Sequence, residues 1–228
     1  MRVVDLATVS RRDLNGQLHT LSAGTNETHW RVENPEGRHA LAVGLDAPVT
    51  VEIAGHAGYY CAGMNQRATV VIEGNAGVGV AENMMSGMVH VKGDASQSAG
   101  ATAHGGLLVI DGNASARCGI SMKGIDIVVK GSIGPMSAFM AQSGNLVVLG
   151  DAGEALGDSI YEARLFVRGK VASLGADCIE KAMREEHVTA LQALLDAAGI
   201  EGVKPDEFRR YGSARALYTF HVDNAAAY

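Results

Sequence analysis

Little in this sequence points to a cross-linked, membrane-bound or nucleic-acid-binding protein. It has three cysteines at sparse spacing. An odd, thin set of thiols argues against a disulfide framework and fits a reducing compartment. No apolar run reaches the ~18 residues of a membrane-spanning helix, and residues 1–30 hold no continuous stretch of signal-peptide type. The expectation is a soluble, cytoplasmic protein with no membrane contact. Lys and Arg are scattered, and the formal net charge is -6. Nucleic-acid binding calls for a basic stripe, so that class is set aside. Proline occurs four times and aromatic residues make up 5% of the chain, yet 47% of residues are apolar and 19% charged. That balance supplies a core and excludes global disorder.

What the chain has in excess is glycine, at 29 residues. There is no Gly-X-Y period, which excludes collagen. There is another period. Gly55, Gly74, Gly93, Gly112, Gly131, Gly150 and Gly169 follow one another at intervals of 19 residues. Two residues before each glycine stand Ile53, Ile72, Val91, Ile110, Val129, Val148 and Val167. Four before stand Val51, Val70, Val89, Leu108, Ile127, Leu146 and Leu165. Both rows share one face of a strand, because strand side chains alternate with period two. The residue after each glycine is mostly a turn former (Asn75, Asp94, Asn113, Ser132, Asp151), and the residue seven after it is always Ala or Gly.

Each unit therefore reads as a β-strand, a glycine corner, a tight segment of small residues and a second glycine corner near Gly87, Gly106 and Gly144. No unit can bury its apolar row alone, but stacked units can. The predicted fold is all-β, a parallel β-helix of about seven rungs over residues 49–183. At ~4.8 Å per rung the column is about 30 Å tall. The repeated glycine is expected at positive φ, where a Cβ would be strained. Residues 1–48 are read as an N-terminal cover, with 38–46 as a possible partial rung. Residues 184–228 are read as a C-terminal helix and tail. In the helix, Val188, Leu191, Leu194, Leu195 and Ala198 keep helical spacing and Gly199 suits a C-terminal stop. Residues 203–228 look extended and irregular.

Chemical motifs fare poorly against this background. Gly77-Val78-Gly79 is followed by Val80-Ala81-Glu82, so the dinucleotide fingerprint lacks its third glycine, and no Gly-Lys-Ser/Thr completes a P-loop. Cys61 and Cys118 share a repeat position three rungs apart, about 14 Å, too far for a disulfide or a shared metal. Cys178 lies at another phase. The histidines form no H-E-x-x-H, and no stacked acidic row suggests calcium. A strict 19-residue unit also differs from hexapeptide acyltransferase solenoids, whose three-sided rungs would total about 18 residues. No catalytic, cofactor-binding or metal site is expected on this chain.

The outward rows say more. One residue before the glycines, Glu73, Lys92, Asp111 and Lys130 alternate in sign, so neighbouring rungs are expected to form ion pairs. Three before, the row reads Glu52, Val71, His90, Val109, Val128, Val147, Phe166. With Leu149, the residues Val109, Val128, Val147 and Phe166 form an apolar strip that a monomer would not leave wet. Either the chain's own C-terminal helix or tail covers it, or a partner subunit does.

The blocks "GHAGYYCAG", "GNAGVGVAENMMSG" and "GDAGEALGDSIYEARLFVRG" resemble the glycine-repeat β-helix (GXGXG) domain at the C-terminus of the glutamate synthase large subunit. Related domains form a subunit of formylmethanofuran dehydrogenase. In glutamate synthase the domain accompanies a class II glutamine amidotransferase domain with an N-terminal cysteine nucleophile and an FMN-binding barrel with an iron–sulfur cluster. This chain begins Met1-Arg2 and carries neither part. The split arrangement is similar to N-methylglutamate synthase, whose small β-helical subunit this chain resembles. The resemblance implies an amidotransferase-like partner, an FMN-binding partner that also holds the iron–sulfur cluster, and a reaction of glutamate with methylamine giving N-methylglutamate and ammonia. It places no catalytic residue on this chain. A formylmethanofuran dehydrogenase-type subunit and a stand-alone solenoid enzyme are the other readings.

Overall fold

A computed structural model describes residues 1–215. Its elements run β1 (Arg2–Asp5), α1 (Arg11–His19), β2 (His29–Glu33), β3 (Thr50–Ile53), β4 (Thr69–Ile72), β5 (Met88–Val91), β6 (Leu107–Ile110), β7 (Lys123–Val129), β8 (Ser143–Val148), β9 (Arg164–Val167), β10 (Cys178–Lys181), α2 (Glu185–Ala197), a 3-10 turn (Pro205–Glu207) and β11 (Arg209–Ser213). All eleven strands join one sheet in the order β1-β2-β3-β4-β5-β6-β7-β8-β9-β11-β10. From β3 to β9 the sheet is parallel, and at the core positions the pairing steps by one repeat: Val51 faces Val70, Val70 faces Val89, Val89 faces Leu108. This is the seven-rung parallel β-helix that the glycine period encodes. A second wall is marked by the bridge series Ala57, Ala76, Ala95, Ala114, Ile133, Ala152 and Val171. The two predicted apolar rows lie fully inside; Val51, Ile72, Val91, Ile110, Leu146 and Val148 are all at 0% exposure. Like residues stack on like, so each rung buries its face against the next and the interior is solid.

The corner glycines are explained differently from the expectation. Of the seven, only Gly55 has positive φ. The others make room for a ladder. Asn75 Oδ1 accepts from Asp94 N–H (2.9 Å), Asp94 Oδ1 from Asn113 N–H (2.7 Å), Asn113 Oδ1 from Ser132 N–H (2.9 Å), Ser132 Oγ from Asp151 N–H (2.9 Å) and Asp151 Oδ1 from Lys170 N–H (2.7 Å). His56 Nδ1 starts the series by accepting from Asn75 N–H. Each accepting atom lies under the α-carbon of the next rung's glycine. A Cβ on Gly112 would fall 2.3 Å from Asp94 Oδ1, and one on Gly93 would fall 2.2 Å from Asn75 Oδ1. The row read as turn formers is thus a row of acceptors. It ends at Lys170, whose side chain can only donate.

Positive φ falls instead in the segment after the corner. Tyr60, Ala62 and Met64, then Gly79, Ala81 and Asn83, then Ser98, Gly100 and Thr102 take left-handed conformations, and the alternation continues to Ser159. The N–H groups then point alternately up and down the column: Tyr60 N–H to Val78 O (2.8 Å), Ala62 N–H to Leu41 O (2.9 Å), Met64 N–H to Glu82 O (2.8 Å). Left-handed backbone costs about 1–2 kcal/mol per non-glycine residue, and the inter-rung hydrogen bonds offset it. The middle position is also buried (Ala62, Ala81 and Ala138 at 0%), which is why that row contains only Ala and Gly.

The N-terminal segment is more than a cover. β2 pairs in parallel with β3, and residues 34–46 stack on the rung above through Gly37 N–H to His56 O and Ala40 N–H to Tyr59 O. They complete a further rung, with Trp30 and Val32 at 0% exposure. β1 adds one more parallel strand, and α1 closes that end with Leu14 and Leu18. At the other end β11 enters between β9 and β10, antiparallel to both. So part of the stretch read as an irregular tail is a strand of the sheet; residues 216–228 lie outside the described residues.

Candidate functional surface

The outer face of the sheet divides in two. Toward β9 it is apolar. Val109, Val128, Val147 and Phe166 stand in one line at 0% exposure, with Leu149 beside them partly buried. They are covered by this chain itself. Leu191, Leu194, Leu195 and Ala198 of α2 and Phe208 beyond it pack on the line as one cluster. The strip is therefore a second core and presents no surface to a partner. The physical reason is the one that exposed it in the sequence: an apolar row of that length is buried by the nearest amphipathic helix. Gly199, at φ 63°, stops α2 as expected. The register of the buried face differs by one position, because His187 is buried while Val188 is 39% exposed.

A polar cluster lies where the N-terminus of α2 meets the sheet. Asn145 Nδ2 donates to Asp126 Oδ1 (2.6 Å), while Asn145 Oδ1 is buried without a partner among the described residues. Burial raises the Asp126 pKa above the usual carboxylate value, against the hydrogen bond from Asn145. His187 Nδ1 accepts from Arg184 N–H (3.1 Å). Burial lowers the His187 pKa, and Arg210 adds to the effect. Arg210 is itself 8% exposed and donates through Nε to Ala182 O (3.1 Å).

Toward β2 the outer face is charged and uncovered. Asp111 gathers Lys130 Nζ (2.8 Å), His90 Nε2 (2.9 Å) and, more loosely, Lys92 Nζ (3.9 Å). Burial pushes the Asp111 carboxyl up, but hydrogen bonds from Lys130 and His90 outweigh it and hold its pKa below the usual value. Glu52 is lowered mainly by the hydrogen bond from His29, with Arg31 assisting. Glu73 pairs with Arg31 (3.4 Å) rather than with Lys92 on the adjacent rung, so the predicted alternation forms only around Asp111. Each of these side chains lies within 4.0 Å of a partner in an ion pair or a histidine–carboxylate contact.

The cysteines are locked away. Cys61, Cys118 and Cys178 are buried free thiols, with burial raising their pKa values to about 12, about 12 and about 11. Thiols held protonated inside a packed column are poor nucleophiles and poor cluster ligands. The described residues contain no group of three His, Cys, Asp or Glu able to hold a metal ion. The donor set therefore does not fit an iron–sulfur cluster. Among the described residues no helix is long and apolar enough to cross a membrane.

No protein-family model matches the chain. The chain is 65% identical over 228 residues to Protein GlxC of Rhizobium meliloti (strain 1021), a match that covers all of both chains. At that identity over its whole length, the chain belongs to the GlxC family.

Proposed function

We propose that this chain is a non-catalytic structural subunit of a glutamate synthase-like complex, and specifically the β-helical subunit of an N-methylglutamate synthase. The observation that carries the reading is the seven-rung column with its shared 19-residue glycine repeat. That repeat is the feature resembling the β-helix domain of glutamate synthase, and the GlxC relative matches this chain from end to end. The chemistry on the chain supports the same role. The charged groups on the sheet toward β2 pair with each other, the thiols are buried, and the backbone bonds run from rung to rung. Such a column resists deformation and can hold two other active sites at fixed separation, which favours transfer of a small amine or ammonia between them. In this reading an amidotransferase-like subunit and an FMN-binding subunit, the latter also holding the iron–sulfur cluster, supply the reacting groups. This chain contributes position alone.

The purified chain should show no flavin absorbance and no turnover of glutamate with methylamine. Mixed with the amidotransferase-like and FMN-binding subunits it should complete an active assembly. Flavin bound to this chain alone, or activity of the other two subunits undiminished without it, would overturn the proposal.

A further inference from the structure

Helix α1 lies against the first full turn of the column. Asn15 Nδ2 donates to Ala40 O (2.8 Å), Asn15 Oδ1 accepts from Ala42 N–H (3.0 Å), and His19 Nε2 donates to Val43 O (2.7 Å). This fit leaves two adjoining shallow concavities beside the helix, of about 530 Å³ and about 620 Å³. They share Arg11 and Arg12. Arg38 and His39, from the turn after β2, line the first, and Tyr59 and Tyr60 line the second. The His39 ring is fixed in place: its Nδ1 accepts from Tyr59 N–H (3.1 Å) and it packs on the Tyr59 ring at 4.2 Å. Tyr59 is 51% exposed.

Arg11, Arg12 and Arg38 have no carboxylate within 4.0 Å among the described residues, whereas most other arginines do. Glu36 is the single acid lining either concavity. Three guanidinium groups against Glu36 in the lining, with Asp5 near enough to Arg38 for its carboxyl to be lowered in part by it, leave the groove net basic on a chain of net charge -6. Guanidinium forks match carboxylates in paired hydrogen bonds, and an exposed tyrosine supplies contact area at low entropic cost. The groove is open and shallow, which suits a strand or loop of another protein better than an enclosed small molecule.

We propose that the Arg11/Arg12/Arg38 groove docks an acidic segment of a partner polypeptide. This deepens the subunit reading and rests on it. The test uses the full chain and a fluorescein-labelled oligoglutamate peptide, followed by anisotropy. Binding is expected at low salt and should weaken by ~10-fold or more at about 0.3 M NaCl. The double variant Arg11→Ser/Arg38→Ser should lose it with an unchanged melting temperature. Arg117→Ser, three rungs further along the column, should retain it. Absence of binding, binding indifferent to the double substitution, displacement by millimolar inorganic phosphate, or tighter binding of a single-stranded oligonucleotide would each overturn the proposal. In the assembled complex, the double variant should bind its partners at least ~10-fold more weakly. Full assembly by the variant would overturn this docking site alone. Failure of the unaltered chain to assemble would overturn the subunit reading.

Discussion

At the residue scale, identical substitutions should have opposite signs according to what lies beside the glycine. Gly112→Ala places a methyl 2.3 Å from Asp94 Oδ1 and 2.9 Å from the Gly93 backbone. Overpacking of that kind costs about 1–3 kcal/mol, and breaking the ladder adds to it. Gly16→Ala, in the exposed interior of α1 with nothing within 4 Å, should stabilise by about 0.5–1 kcal/mol. Denaturant melts of the two variants check both signs. Asn113→Leu leaves the Ser132 N–H without its acceptor and should cost about 1 kcal/mol. Hydrogen exchange at Ser132 should accelerate while Asp151, served by Ser132 Oγ, keeps its protection. The glycine period was plain in the sequence, but its cause was not. Reading one rung at a time suggests a φ requirement. The steric requirement appears only when the acceptor of one rung is placed beneath the glycine of the next.

At the element scale, α2 and the strip it covers form a unit that titrates. His187 is buried beside Arg210, Arg164 and Arg184, with Glu186 as the opposing charge, and its folded pKa lies below the ordinary 6.5. The unfolded chain therefore binds the extra proton first. The stability contributed by neutral His187 is present above about pH 6.5 and is lost as pH falls through the interval down to the folded value. Replacing His187 with Gln should flatten that part of the stability–pH curve. Phe166→Ala and Leu195→Ala remove fully buried side chains from the strip and the helix and should cost about 3–5 and 2–5 kcal/mol. Because the two belong to one cluster, their effects should be less than additive in a double-mutant cycle. The sequence located both the strip and the helix that covers it. The inward turn of His187 in place of Val188 was hidden, because helical spacing fixes a face only to within a residue.

At the scale of the whole molecule, the phase of the repeat decides what a reader of the sequence can see. The rungs from Gly55 to Gly169 keep a spacing of 19, so they are visible. The rung built on β2 pairs with β3 at an offset of 21, His29 facing Thr50 and Val32 facing Ile53. Two extra residues remove it from the period, so the sequence shows a cover with only 38–46 as a possible partial rung. The strand β11 lies beyond α2 and pairs antiparallel, so no repeat announces it. The functional surface was less legible than the fold. The apolar row admitted two covers, the chain's own C-terminal helix or tail and a partner subunit, and α2 is the one that packs on it. The charged half of the sheet and the basic groove beside α1 stay open among the described residues, and the groove involves residues too far apart in sequence to form a motif.

The central claim is that this column is one part of a larger enzyme. The most direct measurement is native mass spectrometry of the tagged chain after co-expression with the amidotransferase-like and FMN-binding subunits. A single assembly containing all three is expected, with flavin stoichiometric to the FMN-binding subunit. Recovery of this chain by itself, while the other two purify together as an active enzyme, would contradict it.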